Sequence, residues 1–264
     1  MGKRTNSEAW RSKVKQRGQW QGMMTIALFN WPYYLAAGAV LVATLGGFLL
    51  SQSTGTRLIC GVALGGAVYF LVGSLGVSHL IYDRSDLYRF GWLDRALRGV
   101  QVNHAIFCHS GFDETSLELR EKLGNVGWQN LDHFDETQMT EASIRRARRR
   151  YPPVEGTLRA PYGNWPIRAD AADVIFGLLA IHELRNDLQR ASWFGEAKRS
   201  LHADGCLVLV EHIRDAANFL AFGPGFLHFH SRESWRRAWE SAGFRPLDEF
   251  RITPWVRVFV LSPK

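Results

Sequence analysis

ADVIFGLLAIHEL, residues 172–184, decides how the chain is read. Its centre, 174–179, is apolar throughout, as a central parallel strand is when both faces of its sheet are covered. A strand with one wet face would alternate instead. A second run of this kind stands at 207–210, and between the two Ala191, Phe194, Ala197 and Leu201 keep to one helical face. Strand, helix and strand in that order predict a mostly parallel α/β sheet with helices on both sides.

Working outward, 102–108 reads as the first strand. Thr115 with Glu118 makes a capping box for a helix that carries Leu119 and Leu123 and stops at Gly124. A second strand is expected at 128–132, and a basic helix at 141–151 ends on Pro152 and Pro153. Downstream, Gly205 is read as closing the helix before 207–210. Ser231 caps a helix whose Trp235, Ala238, Trp239 and Ala242 share a face, closed by Gly243. The last strands, 247–253 and 256–261, have no helix between them and should pair antiparallel at a sheet edge.

The amino end is of another kind. Residues 33–51 and 58–82 contain no Asp, Glu, Lys or Arg, and a bilayer core asks for about 20 apolar residues per helix. The expectation is two transmembrane helices in a hairpin, with Trp20, Trp31, Tyr33, Tyr34, Tyr82 and Tyr88 at the interfaces. Glycines such as Gly47, Gly61 and Gly65 could let the helices approach closely. The bland alternative is a pair of buried helices in a soluble protein, but such helices usually show a polar face. Lys3, Arg4, Arg11, Lys13, Lys15 and Arg17 crowd the leading segment against Glu8, and Arg145, Arg146, Arg148, Arg149 and Arg150 fall within six positions. Beside a spanning hairpin these clusters predict contact with anionic membrane lipids rather than nucleic acid, and place both termini and the α/β domain on the cytoplasmic side of the inner membrane. The map is then 1–32, a basic and aromatic interfacial segment; 33–82, the hairpin; 83–99, a linker; and 100–264, the α/β domain. Cys60, Cys108 and Cys206 have no disulfide or zinc spacing.

From Asp170 onward the chain resembles the carboxy-terminal half of class I S-adenosylmethionine-dependent methyltransferases. Residues 172–184 are similar to that family's fourth strand and the loop facing the methyl group, 194–205 to its next helix, 207–211 to its fifth strand, and 232–244 to its late helix and Ala-Gly-Phe turn. The resemblance implies a Rossmann-like doubly wound sheet with an antiparallel C-terminal hairpin, and S-adenosylmethionine as cofactor. It weakens after the first strand, where the family's glycine-rich loop is replaced by HSGFDETS, residues 109–116.

On that resemblance His109, Ser110 and Gly111 line the cofactor loop, Asp113 meets the aminoacyl part, and Asp132 takes the ribose hydroxyls. His182 is the first choice for a base near neutral pH, with Glu211 and His212 next. Phe226, His228 and His230 belong to an aromatic lid over a lipophilic small-molecule acceptor or lipid headgroup. Two other readings stand beside this one. The missing glycines suit a catalytically inactive accessory or scaffold subunit of a membrane protein complex. The histidines at strand ends could serve a metal-dependent hydrolase, although no His-Glu-x-x-His motif is present and no metal ligand is assigned. Serine hydrolases and phosphate-loop enzymes lack their motifs.

Overall fold

The computed structural model describes residues 17–264; the basic run from Lys3 to Lys15 lies outside them. Seven strands form one sheet: β1 (His104–His109), β2 (Gly127–Asp132), β3 (Leu158–Arg159), β4 (Ala172–Leu178), β5 (Leu201–His212), β6 (Phe244–Thr253) and β7 (Val256–Pro263). Their order is β3-β2-β1-β4-β5-β7-β6. The pairings from β3 to β5 are parallel, whereas β7 enters antiparallel between β5 and β6. The expected fold class and terminal hairpin are therefore present.

β4 is central because both its faces are apolar. Ile175 packs with Leu207, Leu209, Trp193 and Trp235 on one side, while Val174 and Phe176 pack with Val208, Val210 and Phe107 on the other. Each such buried side chain contributes roughly 1.5–3 kcal/mol. The crossovers are α5 (Ser116–Leu123), α6 (Ala142–Arg150), α7 (Asp187–Ser200) and, beyond the short α8 (Ala216–Phe222), α9 (Arg232–Ser241).

Several local expectations are corrected. α7 ends at Ser200 and β5 begins at once, so Gly205 lies within the strand, at a register shift, where a Cβ would come within 2.9 Å of the Asp173 carbonyl. The Thr115–Glu118 capping box does not form. Asp113 caps α5 instead, with Oδ1 accepting from the Thr115 and Ser116 amides at 3.2 and 2.9 Å. The segment read as a linker, which includes the one-turn α4 (Leu93–Ala96), carries Leu87, Phe90, Trp92 and Leu93 into the core beneath β1 and β4. Within the leading segment a further helix, α1 (Gln21–Phe29), was not anticipated.

Among the described residues, two helices are long and apolar enough to cross a membrane: α2 (Trp31–Leu50), and α3 (Thr54–His79) with the π-helical turn Leu80–Arg84 that continues it. No α2 residue is buried, and Leu50 and Ile59 are 81% and 71% exposed. Among the glycines expected to bring the helices together, Gly47 does so, since its Cβ would meet Cys60 Sγ at 2.7 Å; nothing lies within 4 Å of one at Gly65.

The base of the hairpin is joined to the domain through polar contacts. Asp83 accepts from the Gly22 and Met23 amides at 2.6 and 3.1 Å, capping α1, and also meets His79 Nδ1 at 3.0 Å. Tyr82 Oη lies 2.9 Å from His212 Nε2 at the end of β5. Arg17 pairs with Glu114 at 2.8 Å. These contacts lay α1 across the carboxyl edge of β1 and β2.

Candidate active site

The carboxyl ends of β1 and β2 form the first half of the site. His109 and Ser110 are both 1% exposed, and neither ring nitrogen of His109 nor the Ser110 hydroxyl has a hydrogen-bond partner among the described residues. Buried polar groups normally have partners, so these three atoms mark a place where a polar ligand would be held. Burial keeps His109 below its ordinary pKa, and so neutral. Gly111 follows at φ +91, the left-handed region. A Cβ there would stand 2.6 Å from Phe134 Cδ2.

Asp132 closes this niche from β2. Its Oδ1 accepts from the Gly111 and Phe134 amides, each at 3.0 Å, and lies 3.6 Å from His109 Nδ1. Its Oδ2 accepts from Arg148 of α6 at 2.5 Å, and the same guanidinium covers the Phe134 ring at 4.6 Å. Above the loop, Phe29 of α1, Phe112 and Tyr151 pack edge to face or tilted, with centroids 5.4–6.0 Å apart. The orphaned His109 and Ser110 atoms beside a bare Gly111 fit a nucleoside-bearing cofactor. The carboxylates are less open: Asp113 is engaged as a cap, and Asp132 meets a ligand only where Arg148 gives way.

The second half gathers at the ends of β4 and β5. Leu179 adopts φ +50, turning the chain into the 3₁₀ turn Ile181–Glu183. Glu211, fully buried, receives the Ile181 and His182 amides on Oε1 at 2.9 and 3.2 Å. Its Oε2 accepts from His182 Nδ1 at 2.7 Å. That bond fixes the tautomer and leaves the lone pair on His182 Nε2. His228, at the end of the 3₁₀ turn Gly223–His228, crosses the His182 ring at 79° with centroids 5.0 Å apart. Its Nδ1 meets Glu141 at 2.8 Å and its Nε2 faces Glu183 at 3.5 Å. Burial lowers the pKa of His228, but the two carboxylates outweigh it and raise it to about 9. The hydrogen bond from His228 in turn holds Glu141 below the carboxylate range. Burial pushes Glu183 up, and His228 and His182 more than reverse that.

His212 and His230 are structural. His212 has Tyr82 on Nε2, and Trp255 O and Asn218 Oδ1 on Nδ1 at 3.0 and 3.1 Å; burial, then repulsion from His182, lowers it to about 4. It is a strut between hairpin and sheet rather than a free base. His230 is not in a lid: it is buried, its Nε2 lies 3.1 Å from the His182 and Leu184 carbonyls, and burial with neighbouring Arg190 lowers it to about 3. Phe226 is half-buried against Phe219, while Phe229 stacks on His212 at 4.7 Å and stands edge-on to His182. Of the arginine cluster, Arg146 and Arg148 turn inward, to Phe29 O and Asp132, while Arg145, Arg149 and Arg150 are exposed.

An open sheet of order β3-β2-β1-β4-β5-β7-β6, one antiparallel strand, β7, inserted between β5 and β6, and both halves of a site at the carboxyl ends of its parallel strands are now in place. The fold is a Rossmann-like, doubly wound α/β sheet. Solved methyltransferase-fold structures that the chain is similar to include a SAM-dependent methyltransferase from Aquifex aeolicus, with 17% identity over 64% of this chain and 86% of that one, TM-score 0.48. A second, from Mesorhizobium loti, shows 15% identity over 66% and 97%, TM-score 0.44. A third is a candidate methyltransferase from Haloferax volcanii in complex with the Trm112 methyltransferase activator, with 15% identity over 68% and 91%, TM-score 0.46. No family model matches the chain, and no curated protein matches it.

Within this fold, sequence reasoning missed Phe134, Arg148, Glu141 and Glu183. For Glu183 a signal existed, since it directly follows His182. For the others none did, because they arrive from the segment between β2 and β4, which has little apolar periodicity.

Proposed function

We propose that the chain is a membrane-anchored, S-adenosylmethionine-dependent methyltransferase acting on a lipophilic small molecule or lipid headgroup. S-adenosylmethionine is the cofactor expected of the fold. His109, Ser110 and Gly111 would hold it, with Asp132 on the ribose hydroxyls where a diol replaces Arg148. Bound there, it supplies an electrophilic methyl group. The chain's own part is alignment: Glu211 fixes the β4 loop and the His182 ring, and Phe229 borders them on the acceptor side.

The observation that carries the reading is the physical continuity of hairpin and site. Large apolar side chains are exposed along both α2 and α3, Val42, Leu50, Ile59, Val62 and Val72 among them, and a contiguous apolar surface of this kind marks a contact with lipid or a partner. The same α3 touches the site's surroundings, through Tyr69 Oη donating to Leu220 O at 2.6 Å and Tyr82 against His212. Exposed Phe219, Leu220 and Leu227 extend that apolar surface around the acceptor segment. The exposed arginines of α6 suit anionic headgroups, and the inner membrane with the domain on the cytoplasmic side is the compartment proposed.

Isothermal titration of the detergent-solubilised full chain with S-adenosylmethionine tests the cofactor. Heat that S-adenosylhomocysteine abolishes is expected. No heat would refute catalysis and favour the accessory-subunit reading, which the engaged Asp132 carboxylate and the Phe134 ring against Gly111 support. Carbonate-washed membranes test the anchor, and release of the chain into the wash would refute it.

A further inference from the structure

His182, Glu183 and His228 each present one ligand atom, and these three atoms lie within 4.8 Å of one another. His182 Nε2 is 3.8 Å and His228 Nε2 3.5 Å from the same oxygen, Glu183 Oε1. Around a zinc ion with bonds of about 2.0–2.2 Å, neighbouring tetrahedral ligand atoms stand roughly 3.3–3.6 Å apart. Two edges of the triangle are thus within a few tenths of an ångström of the required spacing, and the third is no longer than 4.8 Å, so that an ion would draw the two imidazoles together.

The surroundings favour a cation more than the triangle alone does. Each imidazole has its Nδ1 on a carboxylate, His182 on Glu211 at 2.7 Å and His228 on Glu141 at 2.8 Å. This is the carboxylate-histidine arrangement that orients metal ligands and raises their basicity. It leaves both Nε2 atoms aimed at one carboxylate oxygen from two different loops. Three carboxylates face the cluster, against one guanidinium, Arg185, whose Nη1 donates to the His228 carbonyl and lies 3.2 Å from His228 Nδ1, on the side away from Glu183.

We propose that His182 Nε2, His228 Nε2 and the Glu183 carboxylate bind a divalent transition-metal ion, zinc by preference, with Glu211 and Glu141 as positioning residues. Two imidazoles and one carboxylate leave a fourth position open, as in catalytic rather than structural zinc sites. In this state His182 is a ligand and not the base expected of it. The open position, at the carboxyl edge of β4 beside Phe229, suits an acceptor oxygen, for which the metal acts as a Lewis acid. Metal binding itself does not depend on methyl transfer, so the two are tested separately.

Untagged full-length protein, purified in detergent without chelator, is assayed by elemental analysis, then stripped and titrated with cobalt(II). One metal ion per chain and a visible band of four-coordinate cobalt are expected. His182→Ala and His228→Ala abolish the band, Glu183→Gln weakens binding, and Glu211→Gln or Glu141→Gln weakens it by about 10–100-fold. His202→Ala, at an exposed histidine 3.9 Å from Asp173, leaves it unchanged. Circular dichroism identifies any variant that fails to fold, and the wild-type cobalt spectrum needs no variant. The proposal is overturned if wild type retains no metal and gives no band, or if the His182→Ala/His228→Ala double variant, still folded, binds as wild type does. His228 is then an imidazolium bridging Glu141 and Glu183.

Discussion

Lowering the pH from 7 to 5 should destabilise this protein through His133, a residue outside the proposed chemistry. His133 follows β2 and is buried; its Nδ1–H donates to Ala160 O at 2.7 Å, and Trp193 Nε1–H donates to its Nε2 at 2.9 Å. An indole nitrogen only donates, so Nε2 must keep its lone pair and the ring must stay neutral. Burial, which outweighs the help from Ala160, lowers the pKa from 6.5 to about 4. A histidine depressed in the folded state loses nothing above about 6.5, where both states are neutral. Between 6.5 and 4 the unfolded chain takes up the proton first, and stability falls; below 4 the loss levels off. At pH 5 the linkage amounts to about 2 kcal/mol from this group. For a chain of this size that is a fall in Tm of about 4–8 °C. His133→Gln retains an acceptor and a donor without a titrating group, so its Tm in detergent should fall less between pH 7 and 5 by that amount. His212 and His230, also depressed, are common to both proteins and cancel in the difference. Equal falls in wild type and variant would refute the reasoning.

Gly111→Ala places a Cβ at φ +91 against Phe134 and should cost about 2–4 kcal/mol. The checks are a lower Tm and weaker S-adenosylmethionine heat, whereas Gly195→Ala, with nothing within 4 Å of its Cβ, leaves Tm unchanged or slightly raised. Asp83→Ala removes the acceptor of the Gly22 and Met23 amides and weakens the cap on α1 by about 1–2 kcal/mol, so hydrogen exchange at 21–29 should accelerate about tenfold while the sheet is unaffected. Arg190, 1% exposed, donates to Leu184 O and Ser234 Oγ at 2.7 and 2.8 Å and pairs with Asp187. Asp187 is exposed, so Arg190→Met chiefly leaves the Leu184 carbonyl and the Ser234 hydroxyl without their donor and should cost roughly 1–3 kcal/mol; an unchanged Tm would contradict the contacts described.

The sheet was legible wherever burial on both faces leaves an unbroken apolar run, as at Val174 and Leu207, and wherever the terminal strands follow each other without a helix. Gly205 misled because a glycine after an amphipathic helix usually ends it; here the backbone of Asp173 approaches too closely for any side chain. Thr115 gave way to Asp113 because an acid two residues earlier takes the Thr115 and Ser116 amides at the very start of the turn. Within the candidate site, His182, Glu211 and Asp132 were legible as polar residues at the ends of buried strands. His212 and His230 stand at comparable positions, yet their nitrogens are occupied by Tyr82, Trp255, Leu184 and Arg190. Pattern along the chain does not reveal such distant partners. For the same reason Arg148 was read as a lipid contact when it closes on Asp132.

Ile81, in the π-helical turn that continues α3, is fully buried in the sheet's core. On the proposed membrane anchoring, a span that enters the core without a flexible joint would behave as a stiff mast rather than a tether, giving the carboxyl edge of the sheet one height and tilt above the lipid. For the proposed lipophilic acceptor the encounter would then be two-dimensional, and turnover should follow the acceptor's mole fraction in the lipid instead of its concentration in the tube.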